Sequence, residues 1–439
     1  MTRIINISRI FTVLVCLCYL NTVLGQDKKE EQSWVKEVID LDWDVYGFTR
    51  MTGFESSRNT VNPDNRIAKL SESEIGTFIR PFSKISTKKF EVEIQPRITI
   101  LTNLTNDSNV EKVNSEFYFQ ELKATFHLTS TLDFKFGRYV NNIGTSVFIR
   151  PSNPFNQNSG QLNPKIEVDP MDFAEVNLNL NNTSLHFISS IHEGRNDQYQ
   201  NPLFDFKIKN ALKFDYYGAD SDLSFITSFS EDNALFFGIN GRKNISQSIL
   251  MWVDASYENN VDRFYPVFGH PTEYIKYNME NEIENDNWFA NIILGASYSF
   301  KNGMAFQLEY FYNEKGFTEG QSELIKNIID EESQYNFDLT KDLTDRNLAR
   351  IIKPGMAYNR QNYLFSQISQ NDIWSQFNYS LRYFHCLDDS SGQITALLEW
   401  YPFNNIEIFA VLLKSHGEAK TSFTQLLDNQ VMAGAVLKF

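Results

Sequence analysis

The last nine residues, VMAGAVLKF (431–439), form an alternating and mostly apolar stretch that continues to the final position. Because successive side chains of a β-strand point to opposite sides, every second residue shares one face. The more apolar face carries Val431, Ala433, Ala435, Leu437 and Phe439. Chain ends are usually frayed and polar. An apolar stripe that runs to the last residue must therefore be buried, either in a protein core or in lipid.

The same alternation recurs along the chain in segments of about 9 to 12 residues, the length that a tilted strand needs to cross a bilayer. In KKFEVEIQPRITIL (88–101), the even positions from Val92 to Ile100 are apolar and the odd positions from Glu93 to Thr99 are polar. A soluble β-sandwich alternates in the same way, with its polar face in water. Alternation alone therefore leaves both a sandwich and a membrane barrel open.

The connections between these segments distinguish the two folds, because the clearly tight and the clearly long connections fall on opposite sides of the predicted sheet, although SED (230–232) and DDSSG (388–392) are short members of the long set. The tight ones lie at 129–131, 181–183, 218–220, 241–244, 300–303 and 402–405. The long ones lie at 143–171, 194–205, 260–285 and 316–361. Outer-membrane barrels sort their connections in this way, with short periplasmic turns and long external loops. The sequence therefore predicts an all-β, transmembrane antiparallel β-barrel.

Counting back from a last strand that ends in the periplasm gives about 18 strands. The segment 74–84 has the least regular pattern, because Pro81 interrupts it and the polar loop VNPDNR precedes it. Without that segment the count is 16, which is the alternative. Within the longest loop, SELIKNIIDEE (322–332) has a helical pattern, and this helix either folds over the external mouth or lies in solvent.

The N-terminus predicts an exported protein. Basic residues precede an apolar run, and small or apolar residues follow it, so residues 1–25 have the pattern of a signal peptide. Residues 26–40 are expected to form a short periplasmic segment and residues 41–439 the transmembrane barrel. Two of the three cysteines lie in the signal peptide, which leaves Cys386 without an internal disulfide partner.

Composition and motifs argue against several functional classes. The formal net charge of −15 argues against nucleic acid as a partner. The sequence contains no G-x-S-x-G elbow, no H-E-x-x-H motif and no glycine-rich phosphate loop. We therefore predict that the protein is not an enzyme and has no cofactor, no catalytic residues and no metal site.

The polar faces of the predicted strands supply the candidate lining of the pore. Its basic members are Arg97, Lys123, Lys135, Lys207, Lys209, Lys213, Arg242 and Arg382. Its acidic members are Glu93, Glu121, Asp254, Glu258, Glu309 and Glu399. With Asp133, Asp215 and Lys438 added, the two signs nearly balance, whereas a polyanion channel is expected to have a net basic interior. An alternative role for these residues is to form ion pairs that only solvate the interior.

Three stretches resemble one family of proteins. Residues 134–156, FKFGRYVNNIGTSVFIRPSNPFN, contain a Gly-Arg pair and then a loop that closes on a Pro-Asn-Pro-like cluster. This segment resembles bacterial outer-membrane proteins related to the alginate-export porins, and residues 308–318 and 362–414 are similar to the same group. The resemblance implies an outer-membrane barrel with a solute pathway.

These observations predict a channel or porin of the bacterial outer membrane for the passive passage or export of small or polymeric hydrophilic solutes. The alternative is a barrel without conductance that acts as a surface scaffold or adhesin. The expected partners are outer-membrane lipid, lipopolysaccharide, the barrel-assembly machinery and a hydrophilic solute. Phe439 is the predicted assembly signal, because such machinery recognises an aromatic C-terminal residue.

Overall fold

The computed structural model describes residues 38–105, 107, 110–155, 163–195, 205–259, 263–268, 277–281, 287–333, 341–352 and 358–439. The predicted signal peptide lies outside the described residues. Eighteen strands form one antiparallel sheet, and two more, β12 (Phe264–Phe268) and β13 (Tyr277–Asn281), form a separate hairpin. The strands of the sheet are β1 (Val38–Gly53), β2 (Ser73–Ser86), β3 (Phe90–Asn103), β4 (Val113–His127), β5 (Leu132–Tyr139), β6 (Met171–Leu180), β7 (Thr183–His192), β8 (Lys209–Tyr217), β9 (Ser221–Ser230), β10 (Leu235–Asn244), β11 (Ile249–Glu258), β14 (Phe289–Ser299), β15 (Met304–Asn313), β16 (Asn362–Ile373), β17 (Phe377–Cys386), β18 (Gly392–Phe403), β19 (Ile406–His416) and β20 (Asn429–Lys438).

The sheet closes into a barrel where the first strand pairs with the last. The register of β1 and β20 runs from Asp44 opposite Lys438 to Gly53 opposite Asn429. Phe439 extends this seam, since its N–H donates to the carbonyl oxygen of Trp43 at 2.9 Å. The two rings also stack, with centroids 4.2 Å apart. The terminal stripe thus belongs to the seam, and closure leaves the sheet without an open edge.

The prediction of 18 strands is confirmed, and the alternative of 16 is wrong. The uncertain segment forms β2, which pairs with β1 along its whole length. Pro81 lies opposite Trp43 in that pairing. On the other side, the pairing of β2 with β3 skips residues 80 to 82. A proline has no N–H to donate, and the skipped register on that side accommodates it.

The outer wall of the barrel is apolar. Outward positions carry exposed side chains such as Phe225, Phe237, Leu294 and Leu398. On β20, Val431, Leu437 and Phe439 are exposed while Met432 and Val436 are buried inside. The odd-numbered side chains of the terminal stretch therefore face outward. A closed barrel with an apolar outer wall places its side chains as a lipid bilayer requires.

Most short connections and both ends of the described chain lie at one rim, here called the turn rim. The long connections lie at the other, the loop rim, together with the short links 231–234 and 387–391. In outer-membrane barrels these rims face the periplasm and the exterior. The long connections contain α1 (Glu55–Arg58), the hairpin of β12 (Phe264–Phe268) and β13 (Tyr277–Asn281), α2 (Glu319–Glu332) and α3 (Lys341–Ile352). The predicted helix at 322–332 is part of α2. No helix among the described residues is long and apolar enough to cross a bilayer.

Candidate functional site: the lumen and its strap

The connection between β5 and β6, residues 140–170, contacts inward-facing side chains on opposite walls of the barrel. We call it the strap, and its two described legs are 140–155 and 163–170. From the sequence alone, this segment is expected among the long external loops. Its position in the lumen was not predicted, because the residues that hold it there lie elsewhere in the chain.

Two buried carboxylates hold the first leg. The Asp254 carboxylate accepts the backbone N–H of Thr145 at 2.7 Å, of Ser146 at 3.2 Å and of Ser152 at 2.8 Å. Gly144 adopts a φ of +106° beside this carboxylate, and a Cβ there would stand 2.6 Å from Asp254 Oδ2. A glycine is therefore needed for the close approach.

Glu309 provides the second carboxylate, on β15. It accepts the backbone N–H of Val147 and the hydroxyl of Ser146, both at 2.9 Å. The indole N–H of Trp252 donates to the same carboxylate at 2.7 Å. Both Asp254 and Glu309 are 0% exposed. Their side chains point inward, but the strap covers them, so they anchor the strap instead of contacting water.

Apolar contacts also hold the first leg against the inner wall. Phe148 packs edge-on against Phe365 and Phe384, with ring centroids 5.5 Å and 5.1 Å away. Phe148 and Ile149 are almost completely buried in this cluster. On β10, Gly238 lets the strap backbone approach, because a Cβ there would meet the carbonyl oxygen of Ser152 at 2.9 Å. Polar and apolar contacts therefore fix the same leg.

The second leg binds the wall through ion pairs to β3, which lies across the barrel from β11, and to β18 and β19, which follow β17 in the sheet. Glu167 accepts two hydrogen bonds from Arg97 on β3, at 2.8 Å and 3.0 Å. Lys165 pairs with Glu399 on β18 at 2.5 Å and also with Glu407 on β19. Because the two legs are fixed on different walls, the strap spans the lumen.

A cap lies at the loop rim, formed by β12, β13, α2 and α3. Ile325, Ile328 and Ile329 of α2 share one buried apolar cluster with Leu348 and Ile351 of α3. Wall residues such as Phe173 and Ile188 belong to the same cluster. The cap is thus packed onto the inner wall and covers the loop-rim end of the lumen over this part of its circumference.

One carboxyl group is buried inside the cap. Glu332, at the end of α2, is 1% exposed and accepts a hydrogen bond from the Asn347 amide at 2.8 Å. Burial raises the pKa of Glu332 to about 8, and the Asn347 hydrogen bond only partly opposes this change. Asn347 also receives the backbone N–H of Met279 from β13 at 3.2 Å. Asn347 therefore links its own helix α3 to α2 and to the hairpin.

Towards the turn rim, the lumen wall keeps partly exposed charges of both signs. Lys123 lies 2.8 Å from both Glu93 and Glu121. Lys135 lies 3.1 Å from Glu175, and Lys213 lies 2.5 Å from Asp215. The side chains of Lys123 and Lys135 retain 20% and 23% exposure. Water therefore reaches this half of the wall.

The remaining predicted lining residues occupy different surroundings. Arg382 donates to Gln367 at 2.7 Å. Lys209 donates to the carbonyl oxygen of Pro154 in the strap at 3.3 Å. Glu258 lies under the loop-rim connections and pairs with Lys315 at 2.7 Å. Arg242, at the turn rim, pairs with Asp222 at 2.6 Å.

Lys207 differs from the prediction. The strand expected to contain it begins only at Lys209, so Lys207 lies in the preceding loop. It pairs there with Asp232 at 2.6 Å. Whether any predicted lining residue contacts a passing solute stays a prediction. Among the described residues, no three His, Cys, Asp or Glu side chains gather closely enough to hold a metal ion.

The fold is that of the bacterial outer-membrane porin barrels. The solved structure of the outer membrane protein opdK from Pseudomonas aeruginosa matches with a TM-score of 0.52 and 9% identity, over 92% of this chain and 99% of that chain. Acinetobacter baumannii OccAB1 matches with a TM-score of 0.52 and 10% identity, over 94% and 99%. The outer membrane protein OprD from Pseudomonas aeruginosa matches with a TM-score of 0.51 and 8% identity, over 93% and 97%.

No protein-family model matches the sequence, and no curated protein matches it. Identities of 8–10% to the solved structures support the shared fold and no closer relationship. The predicted porin-like barrel is therefore confirmed as a fold. None of the matches described above is an alginate-export porin.

Proposed function

We propose that the protein is an outer-membrane channel through which small hydrophilic solutes pass without energy input, and that the strap sets the width of the passage. The observation that carries this proposal is the strap itself, anchored on both walls of an 18-stranded barrel. A barrel of this size is wide enough for an aqueous channel. A strap across its lumen narrows that channel at a defined level.

Small solutes are favoured over polymers by the same feature. The strap divides the lumen, and the cap covers part of its loop-rim end, so a polymer chain would have to displace both. The lining argues for weak ion selectivity, because its lysines and carboxylates are paired with each other. A ring of like charges is what gives strong selectivity.

The same proposal includes the partners of the barrel. Its apolar outer wall is in contact with membrane lipid, and its loop rim lies at the level of lipopolysaccharide head groups. Phe439 is proposed as the residue that the barrel-assembly machinery recognises. Its place in the seam with Trp43 supports this role, because the final closure of the sheet involves it directly.

A non-conducting surface scaffold is the second candidate, and the cap favours it. Apolar residues of α2 and α3 are buried against the wall at the loop rim, which is the arrangement expected of a closed entrance. A scaffold would use the external loops as a binding surface and would have no need for an open lumen.

Planar-bilayer recording separates the two functions. Purified protein is added to the bilayer, and single-channel steps are recorded under a salt gradient. The channel proposal predicts discrete conductance steps and a reversal potential close to zero. The matched variant has residues 317–360 replaced by a short linker. An absence of steps from both proteins, each shown to be folded by its heat-dependent gel shift, would support the scaffold and contradict the channel.

A further inference from the structure

Three aromatic side chains converge on the outer wall near the loop rim. His385 is the last outward-facing residue of β17, and His416 ends β19, so both lie at the loop-rim ends of their strands. Gly392 of β18 lies between them, opposite His385 on one side and His416 on the other. Tyr383 is the next outward residue of β17.

Because residue 392 is a glycine, there is room above it for the three aromatic side chains to meet. A Cβ on Gly392 would stand 2.5 Å from His416 Nε2, so this nitrogen lies directly above the glycine. The Tyr383 hydroxyl is 3.2 Å from His385 Nδ1 and 3.1 Å from His416 Nε2. Two ring nitrogens and one phenolic oxygen therefore meet over one residue of β18.

The three rings are nearly parallel and their centroids form a triangle. The centroids are 5.7 Å apart for Tyr383 and His385, 5.8 Å for Tyr383 and His416, and 6.5 Å for the two histidines. The interplanar angles are 18°, 16° and 22°. The two ring nitrogens lie 3.2 Å and 3.1 Å from the phenolic oxygen, close to the separation of donor atoms that share one metal ion with bonds of about 2 Å.

We propose that His385, His416 and Tyr383 bind one divalent transition-metal ion of the Cu(II) type on the outer wall of the barrel. The imidazole nitrogens would bind on opposite sides of the ion, the phenolic oxygen would bind between them, and water would complete a tetragonal site. Nitrogen and oxygen donors in this geometry suit Cu(II) or Ni(II). No sequence motif indicates the site, because its ligands lie on β17 and β19 and only the sheet brings them together.

Cu(II) titration of the purified, detergent-solubilised barrel tests this site, with affinity measured by calorimetry and the coordination by electron paramagnetic resonance. We expect one tetragonal Cu(II) signal coupled to two imidazole nitrogens. His385→Ala and His416→Ala should each weaken binding at least tenfold, since even residues that only support a metal ligand contribute 10- to 100-fold. The electron paramagnetic resonance spectrum of each of these two variants should also show one coupled nitrogen instead of two. Tyr383→Phe should weaken binding while both nitrogens remain coupled.

His192→Ala is the matched control. His192 is also exposed at the loop rim, where it lies 3.6 Å from Asp172, and its removal should leave the signal unchanged. An alternative role for the three rings is that of an interfacial anchor, since Tyr and Trp are enriched where a barrel meets the membrane surface. Equal affinity and an unchanged spectrum in His385→Ala and His416→Ala, or no Cu(II) bound by the folded wild-type barrel, would overturn the metal site. Conductance is expected to be the same in all these variants, so this result is independent of the channel proposal.

Discussion

Replacing Asp254 by alanine is expected to free the first leg of the strap while the barrel stays closed. The carboxylate accepts three backbone N–H groups of the strap, from Thr145, Ser146 and Ser152. Each buried N–H left without a partner costs about 1–3 kcal/mol, so the anchored position loses about 3–9 kcal/mol. No strand of the barrel depends on these three bonds.

The readouts are single-channel conductance and protease sensitivity. Asp254→Ala should give larger and noisier conductance steps than the wild type, and chymotrypsin should cleave after Phe148, which is 1% exposed in the anchored strap. The gel shift between boiled and unboiled samples should persist. Asp222→Ala is the matched control, because this carboxylate pairs with Arg242 at the turn rim. Wild-type conductance together with a protected Phe148 in Asp254→Ala would refute the anchoring argument.

Three further results are expected. Deleting Phe439 removes the stack and the hydrogen bond with Trp43, and should lower the amount of surface-assembled barrel at equal expression; full assembly would count against its role. Ala433→Arg, halfway along the lipid-facing side of β20, should cost up to about 4 kcal/mol in urea unfolding from lipid vesicles, with Ala433→Leu as a near-neutral control. The raised pKa of Glu332, about 8 against an ordinary 4.5, means that its contribution to cap stability is complete below pH 4.5 and is lost as pH rises through 8. Beyond the intrinsic base-catalysed increase, hydrogen exchange in α2 should therefore accelerate between about pH 4.5 and pH 8 and gain nothing further above pH 8, and Glu332→Gln should remove that dependence.

The barrel wall could be predicted from the sequence because its signals are local. A period of two recurs in every strand, and the turns alternate with long connections, so even the strand that contains Pro81 was placed correctly. The faces of the last strand followed from the same period. One inward-facing residue of this strand, Met432, nevertheless has little contact with water. It is 3% exposed, and Asn163 of the strap contacts its sulfur at 3.6 Å, so an inward-facing residue does not necessarily line the aqueous channel.

The position of the strap could not be predicted, because it depends on pairs that are distant in the chain. The acidic residues on β11 and β15 looked like ordinary lining, and only the fold reveals that backbone N–H groups meet them. One local signal was present: the apolar run Val147, Phe148 and Ile149 inside a long polar connection is unusual for a solvated loop. The cap hairpin gave no comparable signal, because its two strands have five residues each.

The strap also has a consequence for the order in which the protein is assembled. Between 102 and 163 residues separate the first leg from the carboxylates that hold it, and the partners of Lys165 follow it by 234 and 242 residues. During synthesis, the first leg and Lys165 therefore exist long before these partners, whereas Arg97, the partner of Glu167, precedes the strap. Attachment of the first leg and of Lys165 is a late event that awaits β11, β15, β18 and β19. Contacts between such distant residues form slowly. A barrel arrested before these strands join would consequently carry a first leg without its anchors, including an apolar segment that only the finished wall can cover.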